Sequence, residues 1–91
     1  MANVVVTLRI MPESPEVDLK KLEQDAGVLI KAFGCEIGKV DILPVAFGLN
    51  ALNLIFVMDE QRGSTDELEV KLRAMPHVHS VECVDVRRAI G

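Results

Sequence analysis

Residues 36–58, EIGKVDILPVAFGLNALNLIFVM, read as two strands joined by a tight connection. Leu49 to Met58 is the clearer strand. Leu52, Leu54 and Phe56 face one way, and Asn53, Ile55 and Val57 face the other, the period of two that a strand imposes on its side chains. Asn50 and Asn53 keep its start partly polar. Glu36 to Val45 is less regular and contains Gly38 and Pro44. Pro44 has no amide proton for a ladder, so it belongs at an edge or at a strand end. Ala46-Phe47-Gly48 connects the two.

Outward from this hairpin, the chain repeats one pattern on each side. Val4 to Met11 alternates Val4, Val6, Leu8 and Ile10 with Val5, Thr7, Arg9 and Met11, which makes a strand with one wetter face. Pro12 ends it. The first helix follows, with apolar positions Leu19, Leu22, Ala26, Leu29, Ile30 and Phe33 on one face. Two starts compete. Ser14 before Pro15 has the signature of a cap with proline at the first helical position, and Asp18 is a rival cap. Gly34 suits the far end. Beyond the hairpin, Asp59 to Gly63 is a charged turn. Ser64 and Glu67 have capping-box spacing at the start of a second helix. Leu68, Leu72 and Met75 form its apolar stripe, and Pro76 stops it. Val78 to Val86 is the last strand, with Val81 and Cys83 facing the core.

The order is strand, helix, strand, strand, helix, strand. Two strand–helix–strand units around a hairpin predict an α+β, ferredoxin-like βαββαβ sandwich over residues 1–91 as a single domain. Right-handed crossovers place both helices on one face of a four-stranded antiparallel sheet. The other face stays open and carries some of Val5, Thr7, Arg9, Asn53, Ile55 and Val57, a candidate contact surface.

Composition narrows the function. A chain of 91 residues hides roughly 60–65% of its unfolded surface, enough for one core and little more. Its hydrophobic fraction is 49%, with three Phe as the aromatics, so the core is aliphatic and disorder is not expected. The formal charge of −4 argues against direct nucleic-acid binding, which needs clustered Lys and Arg. Neither a signal peptide nor a membrane span is visible, so the expected location is the cytoplasm, with both cysteines reduced.

Catalytic and metal chemistry find little support. His77 and His79 are expected to share one face of a strand, but no third ligand completes a metal pattern. Cys83 reads as a small hydrophobe within its strand. Cys35, following Gly34 in a turn, is expected to be exposed. Neither has a basic partner nearby in sequence to activate a thiol. Asp59 and Glu60 read as solvated turn residues. The glycines are too scattered for a phosphate-cradling loop. Two segments differ from plain scaffold. Phe47, followed by Gly48 at the tip of a connection, either projects as an anchor for another protein or folds inward to cap the core. Arg87-Arg88, in an acidic chain, either grips carboxylates or phosphates or serves as a solubilising tail.

Met11-Pro12-Glu13-Ser14-Pro15, Pro44-Val45-Ala46-Phe47-Gly48-Leu49-Asn50-Ala51-Leu52 and Asp85-Val86-Arg87-Arg88 resemble the archaeal elongation factor 1-beta family in order and spacing. The resemblance spans essentially the whole chain. It implies a ferredoxin-like fold and guanine-nucleotide exchange on the GTPase elongation factor 1-alpha, without enzymatic chemistry or a cofactor. It also implies that Phe47 and Gly48 lie in the partner-contacting region. Eukaryotic relatives place a Lys near the extreme C-terminus, against the Mg²⁺ site of the GTPase. This sequence departs there: its last Lys is Lys71, and Arg87-Arg88-Ala89-Ile90-Gly91 holds Arg instead. Arg87 and Arg88 are therefore the candidate charged contacts. Two other readings suit the same fold. One is a small-ligand or metal-binding module, which lacks a glycine-lined loop or a fuller His/Cys set. The other is an interaction domain that pairs through its open sheet face.

Overall fold

A computed structural model describes residues 3–62 and 65–88. Strands β1 (Asn3–Pro12), β2 (Glu36–Pro44), β3 (Asn50–Asp59) and β4 (Val78–Arg88) form one sheet in the order β2-β3-β1-β4. Every pairing is antiparallel. Helices α1 (Leu19–Ala32) and α2 (Asp66–Arg73) supply the two crossovers. This is the ferredoxin-like βαββαβ sandwich, with both helices packed on one face.

The core follows the alternation read from the strands. Val6, Leu8 and Ile10 of β1 and Leu52, Leu54, Phe56 and Met58 of β3 turn toward the helices and are buried. Leu22, Ala26 and Ile30 of α1 and Leu68 and Leu72 of α2 close over them. Fully burying such a side chain contributes about 1.5–3 kcal/mol, so this row dominates stability. The opposite face carries a cross-strand hydrogen bond in which Arg9 Nε donates to Asn53 Oδ1 at 3.3 Å. Asn53 is buried although it lies on the open side. Val5, Thr7 and Ile55 there are half-buried and Val57 is exposed.

Local chemistry sets the element ends. Of the two rival caps for α1, Asp18 prevails. Its carboxylate accepts the amides of Lys20 at 3.0 Å and Lys21 at 3.3 Å. Ser14 instead offers its carbonyl to Val17 N, holding a turn around Pro15. At the far end Gly34 takes φ 96, its amide donates to the Lys31 carbonyl, and the Cys35 amide reaches back to that of Ile30. This pair of bonds is a Schellman motif. It folds Cys35 onto the core, so Cys35 is buried, contrary to the exposure expected for a turn residue.

α2 begins at Asp66 with Thr65 at its cap position. The capping box read at Ser64 involves a residue outside the described ones. Glu67 is exposed, ion-paired with Lys71. The Thr65 hydroxyl donates to Glu69 Oε2 at 2.8 Å rather than capping the helix. β4 begins at Val78, and His77 sits before it in a turn at φ 70. The two histidines therefore do not share a strand face as expected. Among the described residues, no group of three His, Cys, Asp or Glu side chains could hold a metal ion.

Candidate functional site

The two ends of the sheet hold the residues singled out from the sequence. At one end is the hairpin between β2 and β3. Pro44 pairs with Asn50 as the last rung, and the Val45 amide donates to the Leu49 carbonyl at 2.8 Å. Pro44 thus sits at a strand end, where its missing donor does no harm. The chain must then reverse across Ala46, Phe47 and Gly48. It does so with φ 60, ψ 30 at Phe47 and φ 75 at Gly48. Positive φ at two successive residues is the pattern of a type I′ turn, whose twist matches the flanking strands.

Glycine adopts that conformation freely, but a phenylalanine does not. A residue with a Cβ in the left-handed region costs about 1–2 kcal/mol. Burial offers no compensation, because Phe47 is 93% exposed. Of the two orientations open to it from sequence, the structure displays the outward one. Neither backbone preference nor packing within the chain accounts for a Phe at this position. Ile42 and Leu43, on the edge strand leading into the hairpin, are also exposed. The periodicity of β2 did not identify them, because Gly38 and Pro44 break its alternation. Position 48 faces the loop before α1: a Cβ placed there would stand 4.0 Å from Pro15 Cγ. Two of the segments that carried the family resemblance, remote in sequence, thus meet at this end.

Arg87 and Arg88 lie at the other end, beside Val5 and Val4 of β1. β3 runs the full distance between the ends with its 10 residues, about 30 Å at roughly 3.3 Å per residue. The fold therefore does not bring Phe47 and the arginines together into one small site. Nor do the arginines act as a pair, because successive strand residues face opposite sides. Arg87 Nε meets Asp85 Oδ2 at 2.9 Å, two residues back on the same strand. Arg88 Nη2 meets Glu60 Oε1, in the short 3-10 turn after β3. Glu60 read as a solvated turn residue from sequence. A contact between positions so far apart in the chain leaves no local signal.

Cys83 borders a cleft of about 330 Å³ at this end, with Val4, Val6, Met58, Thr65 and Glu69 among its walls. Burial pushes its thiol pKa up, and the Glu69 carboxylate adds to the rise. The bond from Sγ to the Asp85 carbonyl opposes it. A thiol held protonated is a poor nucleophile, so the surroundings of Cys83 do not activate it.

The sequence matches the profile of the EF-1 guanine nucleotide exchange domain over residues 5–89. It is 44% identical to elongation factor 1-beta of Methanobrevibacter smithii over 88 residues, covering 97% of this chain and 98% of that protein. Identity to elongation factor 1-beta of Methanothermobacter thermautotrophicus is 42% with the same coverage. Among solved structures, the ACT domain of the GTP pyrophosphokinase of Chlorobium tepidum superposes with a TM-score of 0.61 at 19% identity, over 91% of this chain and 88% of that one. That likeness concerns the fold alone. With its βαββαβ topology, near-complete coverage of these relatives and a profile match along nearly the whole chain, the protein belongs to the EF-1 guanine nucleotide exchange domain family.

Proposed function

We propose that this protein promotes the exchange of GDP for GTP on elongation factor 1-alpha in the cytoplasm during protein synthesis. It acts as one domain over residues 1–91, by binding rather than by bond chemistry. Phe47 and Gly48 form the apolar contact, and Arg87 and Arg88 supply charged contacts. The observation that carries this reading is Phe47, fully displayed in a backbone conformation that disfavours it. Family membership supports the activity, and the strained, exposed aromatic supports Phe47 as the contact.

Exchange is a linkage effect. A GTPase holds its nucleotide through backbone donors, a P-loop Lys and Mg²⁺. A factor that binds the empty form better than the loaded form weakens nucleotide binding by the same coupling free energy. An aromatic anchor fits this task, since it buries a large apolar area with few rotamers to freeze. Gly48 lets the tip turn so that Phe47 points away from the fold. Because the apolar and charged ends stand about 30 Å apart, the partner must span the long axis of the sheet to touch both. Mg²⁺ requires near-ideal octahedral geometry, so a small shift of its ligands would weaken its binding.

The test is release of a fluorescent GDP analogue from elongation factor 1-alpha of the same organism, chased with unlabelled GTP. Release should accelerate and saturate as this protein is added. Unchanged release, with both proteins folded and the GTPase loaded, would refute the reading.

A further inference from the structure

The sheet register gives the two arginines different neighbours. Arg88 lies across from Val4, and Val4 pairs on its other side with Met58. The end of β4 is thereby carried alongside the turn that follows β3. Glu60 opens that turn, and its carboxylate accepts from Arg88 Nη2. The pair joins elements 28 residues apart in sequence. Asp85, by contrast, holds Arg87 from within the same strand.

The side chains of Arg88 and Glu60 are 67% and 42% exposed. An ion pair so open to water adds little to stability, so stability alone does not explain it. A guanidinium carries five N–H donors in a rigid planar fork. The contact to Glu60 goes through Nη2 and occupies a fraction of that fork. Arg also has many rotamers, and freezing them on binding is unfavourable unless they are fixed beforehand.

We propose that Glu60 is a positioning residue for Arg88, holding its guanidinium at the end of the sheet so that the remaining donors meet an acceptor on the partner GTPase. This rests on the exchange reading. Glu60 makes no contact with the partner's nucleotide and acts through Arg88. The sign of the effect separates positioning from competition. A carboxylate that merely competes with the partner for Arg88 would hinder exchange, and its removal would help.

The experiment is a GDP-release titration with the wild type, Glu60→Gln, Arg88→Ala and the double variant, alongside thermal melts. Glu60→Gln should raise the half-saturating concentration by about two- to five-fold, the range of an exposed ion pair. The maximal rate and the melting temperature should stay at wild-type values. In the Arg88→Ala background, Glu60→Gln should add nothing, which a general structural role would not produce. The proposal is overturned if Glu60→Gln matches or exceeds the wild type, if its penalty persists without Arg88, or if Arg88→Ala has no effect. If the wild type itself fails to accelerate release, the exchange reading falls and takes the proposal with it.

Discussion

Two phenylalanines on the same hairpin meet opposite fates. Phe56, on β3, is fully buried beneath the helices, in a strand conformation that suits an aromatic. Phe47, at the tip, is 93% exposed and held at positive φ. Every local preference supports the first and none supports the second. The contrast separates a residue that folding explains from one that folding leaves unexplained, as the proposed contact requires. A large side chain that neither packing nor backbone preference explains is the kind of local conflict expected at functional sites.

Phe56→Ala should give the largest effect, a loss of about 3–5 kcal/mol from the empty space left in the core. Denaturant unfolding measures it, and any loss of exchange should track the unfolded fraction. Phe47→Asn should do the opposite. Asn tolerates the left-handed region, so relief of strain should stabilise the fold by about 1 kcal/mol, raising the melting temperature by roughly 4–8 °C. A melting temperature below wild type would mean that Phe47 packs in solution. Asp85→Asn, which frees Arg87, should change stability by less than about 0.5 kcal/mol, as expected for an exposed pair.

The smallest effect concerns Cys83. Its folded-state pKa is raised above the ordinary 9.0, so the unfolded chain releases the thiol proton first. The linked stability is present below that value and is lost as pH rises through the folded pKa. Cys83→Ala should flatten the alkaline decline in melting temperature. An unchanged slope would show that the thiol contributes nothing.

Most of the fold was legible because it rests on local patterns. The alternation Leu52, Leu54, Phe56 gave the buried row of β3, and the hairpin fixed the order of the units around it. What local pattern did not give was the outcome of competition or of distant contact. Ser14-Pro15 and Asp18 both signal a helix start, and the Asp18 carboxylate prevailed by reaching two amides. Cys35 reads as a turn residue, yet the Schellman end turns it inward. His77 shares the spacing of a strand with His79 but lies in the turn after Pro76. For the candidate site, the sequence nominated Phe47, Gly48, Arg87 and Arg88 without indicating which way Phe47 points. The opposed faces of the arginines and the approach of Glu60 depend on register and three-dimensional packing.

The most direct test of Phe47 as the partner contact is the GDP-release titration with Phe47→Ala, run beside its thermal melt. The expected outcome is a folded protein, melting at or above the wild-type temperature, whose half-saturating concentration rises by roughly 30-fold, the signature of a lost interface anchor of about 2 kcal/mol. Wild-type acceleration by a folded Phe47→Ala variant would contradict it and place the contact elsewhere on the molecule.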